Sequence, residues 1–483
     1  MSRKRFTNYR LLLCTMLLAS LPVLASAQSR DGDLTAQARA AVSLGGNLHE
    51  ILPIDGRVLT EGQDFEHLSA DFGGSMKVRP QAVVSPKSLA DLVTIVKWAY
   101  QNNIPLTPRG TAHTVSGQTL ADTGVIIKTE LLTHVSTNAD GNIVAQPGAR
   151  VISVVNEANA SGNYLPALPA FMAQTVGGIL SVGGVGPGAH TDGLTIDNIL
   201  ELSVVTGTGE VVVCSPSEHT ELFDAVLGGL GQFGIIASAT FAVKPAQAFV
   251  HTVTAAYPDV ASVIQEMLDS AQNPKLYAID GYAWAEGVAG YVIEKAVWSD
   301  SPEPPEPGVV FPQRNNVITA SISIGESSSY LDYAMKWNFL HGWWGQGAFP
   351  WADFFVPKAR SVEFFEKSVR LMQANQALFS GGTDFLGITV VRKQKAHLHS
   401  IQQLPETDAD GHYFVPQFTP NFKTPEEARK ILALNLDLLD MTMSMAGKTY
   451  VIDELQDKQN QWYEHLGDNW PRLQEIKKSY HTR

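Results

Sequence analysis

A chain of 483 residues, 44% hydrophobic and 17% charged, can bury a large core and is too long for one ordinary core, so two lobes are expected. Its formal net charge of −13 argues against nucleic acid or an anionic membrane as a partner, because phosphates demand a basic face. Two cysteines, Cys14 and Cys214, leave no intrachain disulfide once a leader is removed and no cysteine-based metal site.

The N-terminus has the parts of an export signal. SRKRF is basic, LLLCTMLLASLPVLA is apolar, and Ala25-Ser26-Ala27 supplies a small-x-small cleavage pattern. Pro22 interrupts the apolar run just before that pattern, which favours removal near Ala27 over a membrane anchor. Loss of Arg3, Lys4, Arg5 and Arg10 makes the remaining chain more acidic, and the expected location is secreted or periplasmic. Ser2–Phe6 also looks like a degenerate twin-arginine signal, with Lys4 in place of the second arginine.

From Asp71 to Pro245 the sequence alternates β-like runs, glycine turns and short helices. Gln81–Ser85 reads as a strand that Pro86 breaks. Ser88 and Asp91 form a capping box for a helix whose apolar stripe is Leu89, Leu92, Val93, Val96 and Ala99, and Asn103 ends it. IPLTPRG then gives a strand and a loop, PRGTAHTVSGQ (Pro108–Gln118). Small residues after an apolar strand free successive N–H groups for a phosphate, and Arg109 adds positive charge. His113, in the middle, either reaches a bound ligand or is an exposed bystander. Further on, LELSVV-TGTG-EVVVCS reads as a hairpin, with Cys214 a buried small hydrophobe.

Gly229, Gly231 and Gly234 in GGLGQFGII spell G-x-G-x-x-G, the pattern of a dinucleotide loop. The flanks have the wrong order for it. HTELFDAVLG upstream carries Leu222, Phe223, Val226 and Leu227 at helical spacing, whereas IIASATFAV downstream is β-rich; a Rossmann loop needs strand before and helix after.

After Pro245 the character shifts. SPEPPEPG (Ser301–Gly308) is a stiff proline-rich surface loop. WNFLHGWWGQGAFPWADFF (Trp337–Phe355) holds four of the nine tryptophans, a run that either packs core and lobes or lines a pocket for a flat substrate. From about Glu427 the chain is helical and amphipathic. The thirteen histidines show no metal-ligand spacing, and no metal is expected.

Taken together, DFGGSMKVRPQAVVSPKSLADLVTIVKWA, PRGTAHTVSGQ, TVGGILSVGGVGPGAH, NILELSVVTGTGEVVVCS and ELFDAVLGGLGQFGII resemble, in order, the FAD-linked oxidases of the vanillyl-alcohol-oxidase type (PCMH-type FAD binding). They are most similar to the cytokinin dehydrogenases, as are PWADFFVPKAR and HLGDNWPRLQEIKKSY later on. The resemblance implies an α+β fold of two lobes, with a PCMH-type FAD-binding domain split in sequence and a substrate (cap) domain inserted. The expected boundaries are leader 1–27, FAD domain 28–245 with its core at about 71–245, substrate domain 246–426, and a return segment 427–483. It further implies FAD joined covalently through His113, in a cradle of Arg109, Gly110, Thr111, Ala112, Thr114 and Gln118. Thr175, Ser181, Val185 and Ile236 would lie along the cofactor. The expected activity is oxidation of a small organic substrate, with oxygen or another acceptor taking the electrons. Two departures are visible. The family's proton-accepting aspartate falls at Ala170, so His190 and Asp192 are the nearest candidates for a relocated base, and a carbohydrate or alcohol oxidase or a non-catalytic flavin-binding protein become alternatives. Family members also continue past the position of Tyr480 into a closing tail, where this sequence reads HTR, so weaker noncovalent FAD binding is expected.

Overall fold

The computed structural model describes residues 52–74, 76–283, 291–311, 323–336, 348–379, 384–394, 401, 403–420, 423–451, 466–467 and 469–482. The expected leader and Trp337, Trp343 and Trp344 of the aromatic run lie outside them.

The first lobe holds two sheets. Strands β1 (Arg57–Leu59), β2 (Ala82–Ser85), β3 (Leu106–Arg109) and β4 (Val125–Lys128) lie in the order β1-β2-β4-β3, with β2 and β3 both parallel to β4. Strands that run the same way need a crossover, and α1 (Leu89–Gln101) carries the chain from β2 to β3 on the far side of β4. Ser88 caps it by accepting the Asp91 N–H at 3.1 Å. The reciprocal arm of the expected box goes elsewhere: the Asp91 carboxylate accepts the N–H of Lys87 at 2.8 Å. The buried stripe is Leu92, Ile95, Val96 and Ala99, while Leu89 is exposed, so the inward face is rotated from the one expected.

The second sheet is antiparallel. It contains β5 (Val135–Thr137), β6 (Ile143–Ala145), β8 (Ile199–Val205), β9 (Val211–Cys214) and β10 (Ile235–Phe241), ordered β5-β6-β10-β8-β9. A short ribbon joins β7 (Asn163–Tyr164) to β11 (Lys244–Pro245). The β8–β9 hairpin forms where the sequence placed it, and Cys214 is buried. Helices α2 (Val151–Ala160), α3 (Val176–Leu180), α4 (Ala189–Asp192) and α5 (Thr220–Val226) fill the connections. The G-x-G-x-x-G stretch is the turn from α5 into β10. Gly231 and Gly234 sit at φ +72° and +137°, conformations that side chains disfavour.

The second lobe is built on an eight-stranded sheet: β12 (Phe249–Tyr257), β13 (Leu276–Ala283), β14 (Tyr291–Ser299), β15 (Ser323–Ser328), β16 (Ala352–Pro357), β17 (Leu386–Arg392), β18 (His412–Phe418) and β19 (Lys448–Thr449). Their order is β15-β12-β14-β13-β17-β18-β16-β19. Its inner strands β12, β13, β17 and β18 are buried along nearly their whole length because both faces are covered. On one face Ile279, Val390, Phe354 and Phe414 pack against α6 (Val260–Ser270), α8 (Ser361–Ala374) and α9 (Pro425–Ser444). On the other, Phe355, Tyr413 and Val415 join the first lobe's core around Leu168, Met172 and Ile179. Helix α7 (Tyr330–Met335) sits in that seam. Because Leu438 and Leu439 of α9 pack in the second lobe, the chain turns back later than residue 427: Tyr450, Val451 and Leu473 and Ile476 of α10 (Asn469–Ser479) join the first lobe's core.

Candidate active site

A cleft of about 1310 Å³, counted out to its mouth with the solvent space it opens onto, lies between the lobes. Its first wall is the loop that follows β3. The N–H groups of Gly110, Thr111, Ala112, His113 and Thr114, all lining the cleft, make no hydrogen bond among the described residues. Successive free amides form a nest for a polyanion. The loop has its shape because Ala112 adopts φ +53° and because Gly110 lies flat on Thr175, where a Cβ would meet Oγ1 at 1.9 Å. Thr175 caps α3 from below and does not itself line the cleft.

Arg109 lines the cleft but does not lend its charge to it. The guanidinium is buried and donates to the carbonyl oxygens of Leu68 (3.1 Å) and Ala70 (2.7 Å), and burial pulls it down to about 10. It anchors the loop's root, correcting the expectation of a phosphate-facing cation. Gln118 is also a brace: its Oε1 accepts the Ser116 N–H at 3.1 Å and its Nε2 donates to the Val451 carbonyl at 3.1 Å, tying the loop to the returning chain. Ser181 donates to the Gly177 carbonyl at 2.7 Å; with Val185 and Ile236 it forms the next wall, and Gly231 and Gly234 of the α5–β10 turn complete it.

His113 is not exposed. Its ring stacks on Phe72 with centroids 4.1 Å apart and planes 16° from parallel, and Phe171 and Trp351 lie at 5.3 and 5.7 Å. Burial pulls the imidazole down to about 4, so it is neutral at neutral pH, and its buried Nε2 has no hydrogen-bond partner among the described residues. A neutral imidazole keeps a lone pair available for bonding.

The opposite wall comes from the second lobe: Trp351, Asp353, Gln417 and Tyr450. The strand period sets Asp353 there. Ala352, Phe354 and Val356 of β16 pack toward the helices, so Asp353 and Phe355 turn toward the first lobe. Gln417 is its register partner on β18. Apart from Arg109, Asp353 is the one charged side chain on the cleft among the described residues, and burial lifts its carboxyl to about 7. It stands in the apolar PWADFFVP run, where an isolated acid in a strand was the available signal.

Ala170 lines the cleft, so the position of the missing aspartate is in the site. His190 and Asp192 are not among its lining residues. Helix α4 turns His190 into the seam between lobes, where its carbonyl lies 3.2 Å from His412 Nε2 and burial pulls its ring down to about 3. Asp192 faces the other way and pairs with Lys244 at 2.6 Å. The acid that lines the cleft is Asp353, not this pair.

The chain is similar to known proteins in sequence and in fold. A model of the FAD binding domain matches residues 80–215. The chain is 27% identical to an uncharacterized oxidoreductase of the fasciation locus of Rhodococcoides fascians, over 85% of this chain and 93% of that protein. A stretch covering 57% of this chain and 54% of the relative is 34% identical to cytokinin dehydrogenase 1 of Oryza sativa. The solved glucooligosaccharide oxidase of Acremonium strictum, described as carrying a 6-S-cysteinyl, 8α-N1-histidyl FAD, shares the fold with a TM-score of 0.69 over 92% of this chain and 96% of that one, at 16% identity.

Proposed function

We propose that this chain, an FAD-linked oxidoreductase of the vanillyl-alcohol-oxidase type, oxidises a small organic substrate at a C–H bond beside an O–H or N–H and tethers FAD through His113. The residues present fit the cofactor: a run of free amides for the diphosphate, a glycine-lined wall for close backbone approach, and a neutral histidine with an orphaned ring nitrogen. FAD supplies the hydride acceptor. The chain's own residues hold it, pack aromatic rings around His113, and remove the substrate proton. The observation that carries the reading is one carboxyl, Asp353, held near neutrality on the same cleft as the amide run and His113. A general base with such a pKa is half ionised at working pH and still basic enough to take a proton.

The tether is proposed to be single. Cys214 is buried outside the cleft lining, which leaves no cysteine among the described residues for a second bond of the kind described in the glucooligosaccharide oxidase. A cytokinin-type amine remains one substrate class. With alanine at 170 and the acid moved to β16, an alcohol or carbohydrate is the other. Export with removal of residues 1–27 belongs to the same proposal.

Anaerobic mixing with alcohols, sugars and secondary amines tests it. Bleaching of the visible flavin band is expected with at least one class, and Asp353→Asn should slow that bleaching by about 100-fold or more while the flavin stays bound. No bleaching across the panel would favour a non-catalytic flavin-binding protein, the reading that Ala170 keeps open.

A further inference from the structure

The segment Asp71–Gly74 lies outside the Pro108–Gln118 loop and is hydrogen-bonded to it by side chain and backbone. Asp71 Oδ2 accepts the Thr114 hydroxyl at 2.9 Å and the Gly117 N–H at 2.7 Å, and Oδ1 accepts the Gly74 N–H at 3.3 Å. Two backbone bonds run alongside: Phe72 N–H to the Ala112 carbonyl and Gly73 N–H to the Thr114 carbonyl, both at 2.9 Å. These bonds bracket His113 on both sides. Phe72 then lies flat on the imidazole, and its other neighbour in the stack is Phe349, with centroids 4.4 Å apart and planes 19° from parallel. Gly73 is pressed against the loop so closely that a Cβ would lie 2.4 Å from Val115 Cα.

We propose that Asp71 is a positioning residue for cofactor attachment: its carboxylate pins the loop at Thr114 and Gly117, so that Phe72 can hold the His113 ring in the one orientation from which it bonds to the flavin. The inference rests on the tether proposed above. Attachment joins a ring nitrogen to the flavin methyl carbon; one N–H and one C–H bond break, two protons and two electrons leave in all, and dioxygen takes them as hydrogen peroxide. Asp71 takes no part in that balance. It acts by geometry. Replacing it with asparagine keeps the shape but presents an NH₂ group to donors that need an acceptor. The free amides of residues 110–114 are untouched, so FAD can still enter.

The test adds FAD in air to apoprotein of wild type, Asp71→Asn and Thr114→Val. Bound FAD and acid-stable FAD are then measured separately. Asp71→Asn is expected to bind FAD within about fivefold of wild type and to form the bond at least tenfold more slowly. Thr114→Val removes one of the two pins and should fall between them, which keeps the test alive if the asparagine variant does not fold. Bond formation at the wild-type rate in both variants overturns the proposal, as does a loss of FAD binding that parallels the loss of bond formation. Should wild type hold FAD with no bond at all, the tether reading fails by itself. The clasp is then judged on the rate at which diethyl pyrocarbonate modifies His113 in the apoprotein: Asp71→Asn should raise it at least fivefold, and an unchanged rate overturns the clasp.

Discussion

Asp353 and His113 are perturbed in opposite senses by the same cause. Burial disfavours charge, so it lifts the carboxyl to about 7 and pulls the imidazole down to about 4. Activity that depends on ionised Asp353 should rise with pH through about 7 and level off above it, which a pH series of anaerobic flavin reduction measures. The same shift works against stability. A carboxyl whose folded pKa is raised from 3.8 stabilises fully below that value and loses the contribution as pH rises through about 7. Asp353→Asn should therefore be more stable than wild type at pH 7 by about 2–4 kcal/mol, with the gap closing toward pH 4, read by denaturant unfolding of the apoprotein. His113→Ala should leave flavin extractable by acid, and colour that stays in the acid precipitate would reject the tether. The His113 loop was legible in the sequence because its chemistry is local: a strand end, small residues, one histidine. Asp353 was passed over inside an aromatic run, since its importance comes from which face of β16 meets the cleft.

Loops and caps carry their own strain. Gly110 cannot accept a side chain without displacing Thr175, whose Oγ1 would be 1.9 Å from the added carbon. Gly110→Ala is expected to destabilise by about 1–3 kcal/mol and to weaken FAD binding, measured together by thermal unfolding with and without FAD. In α1, Ser88→Ala removes the hydroxyl that accepts the Asp91 N–H and should cost about 1 kcal/mol without touching the flavin spectrum. The cap was readable because Ser88 acts within one turn. The other arm was not, because Asp91 reaches back to Lys87 and to Asp55, 36 residues away in sequence. The α5–β10 glycine turn was readable for a similar reason: helical spacing before it and β-rich sequence after it are local signals.

Across the whole molecule, the seam between lobes holds His190 and His412, both pulled down by burial. A histidine with a folded pKa of about 3 contributes stability above its unfolded pKa and loses it as pH falls below about 6.5. Asp353 and Asp280, each lifted to about 7, change in the opposite sense, so the overall acid profile is a partial cancellation. The difference between wild type and His190→Leu isolates one group. It should change by about 1.4 kcal/mol per pH unit from pH 6.5 downward, in the direction that favours the variant in acid. A pH-independent difference would mean that the ring is not held neutral.

Motif order in the sequence determined the α+β class, the flavin-binding first lobe, the cleft-lining loop at 109–118 and the helix-to-strand use of the glycines, because each is set by neighbours within a turn or a strand. Tertiary structure alone decided the rest. It spent Arg109 on backbone carbonyls, turned His190 and Asp192 away from the cleft, kept α9 with the second lobe and brought Asp353 and Asp71 to the site. Those outcomes depend on which faces two lobes bury against each other, and a pairing between residues tens to hundreds of positions apart leaves no periodic trace in the chain.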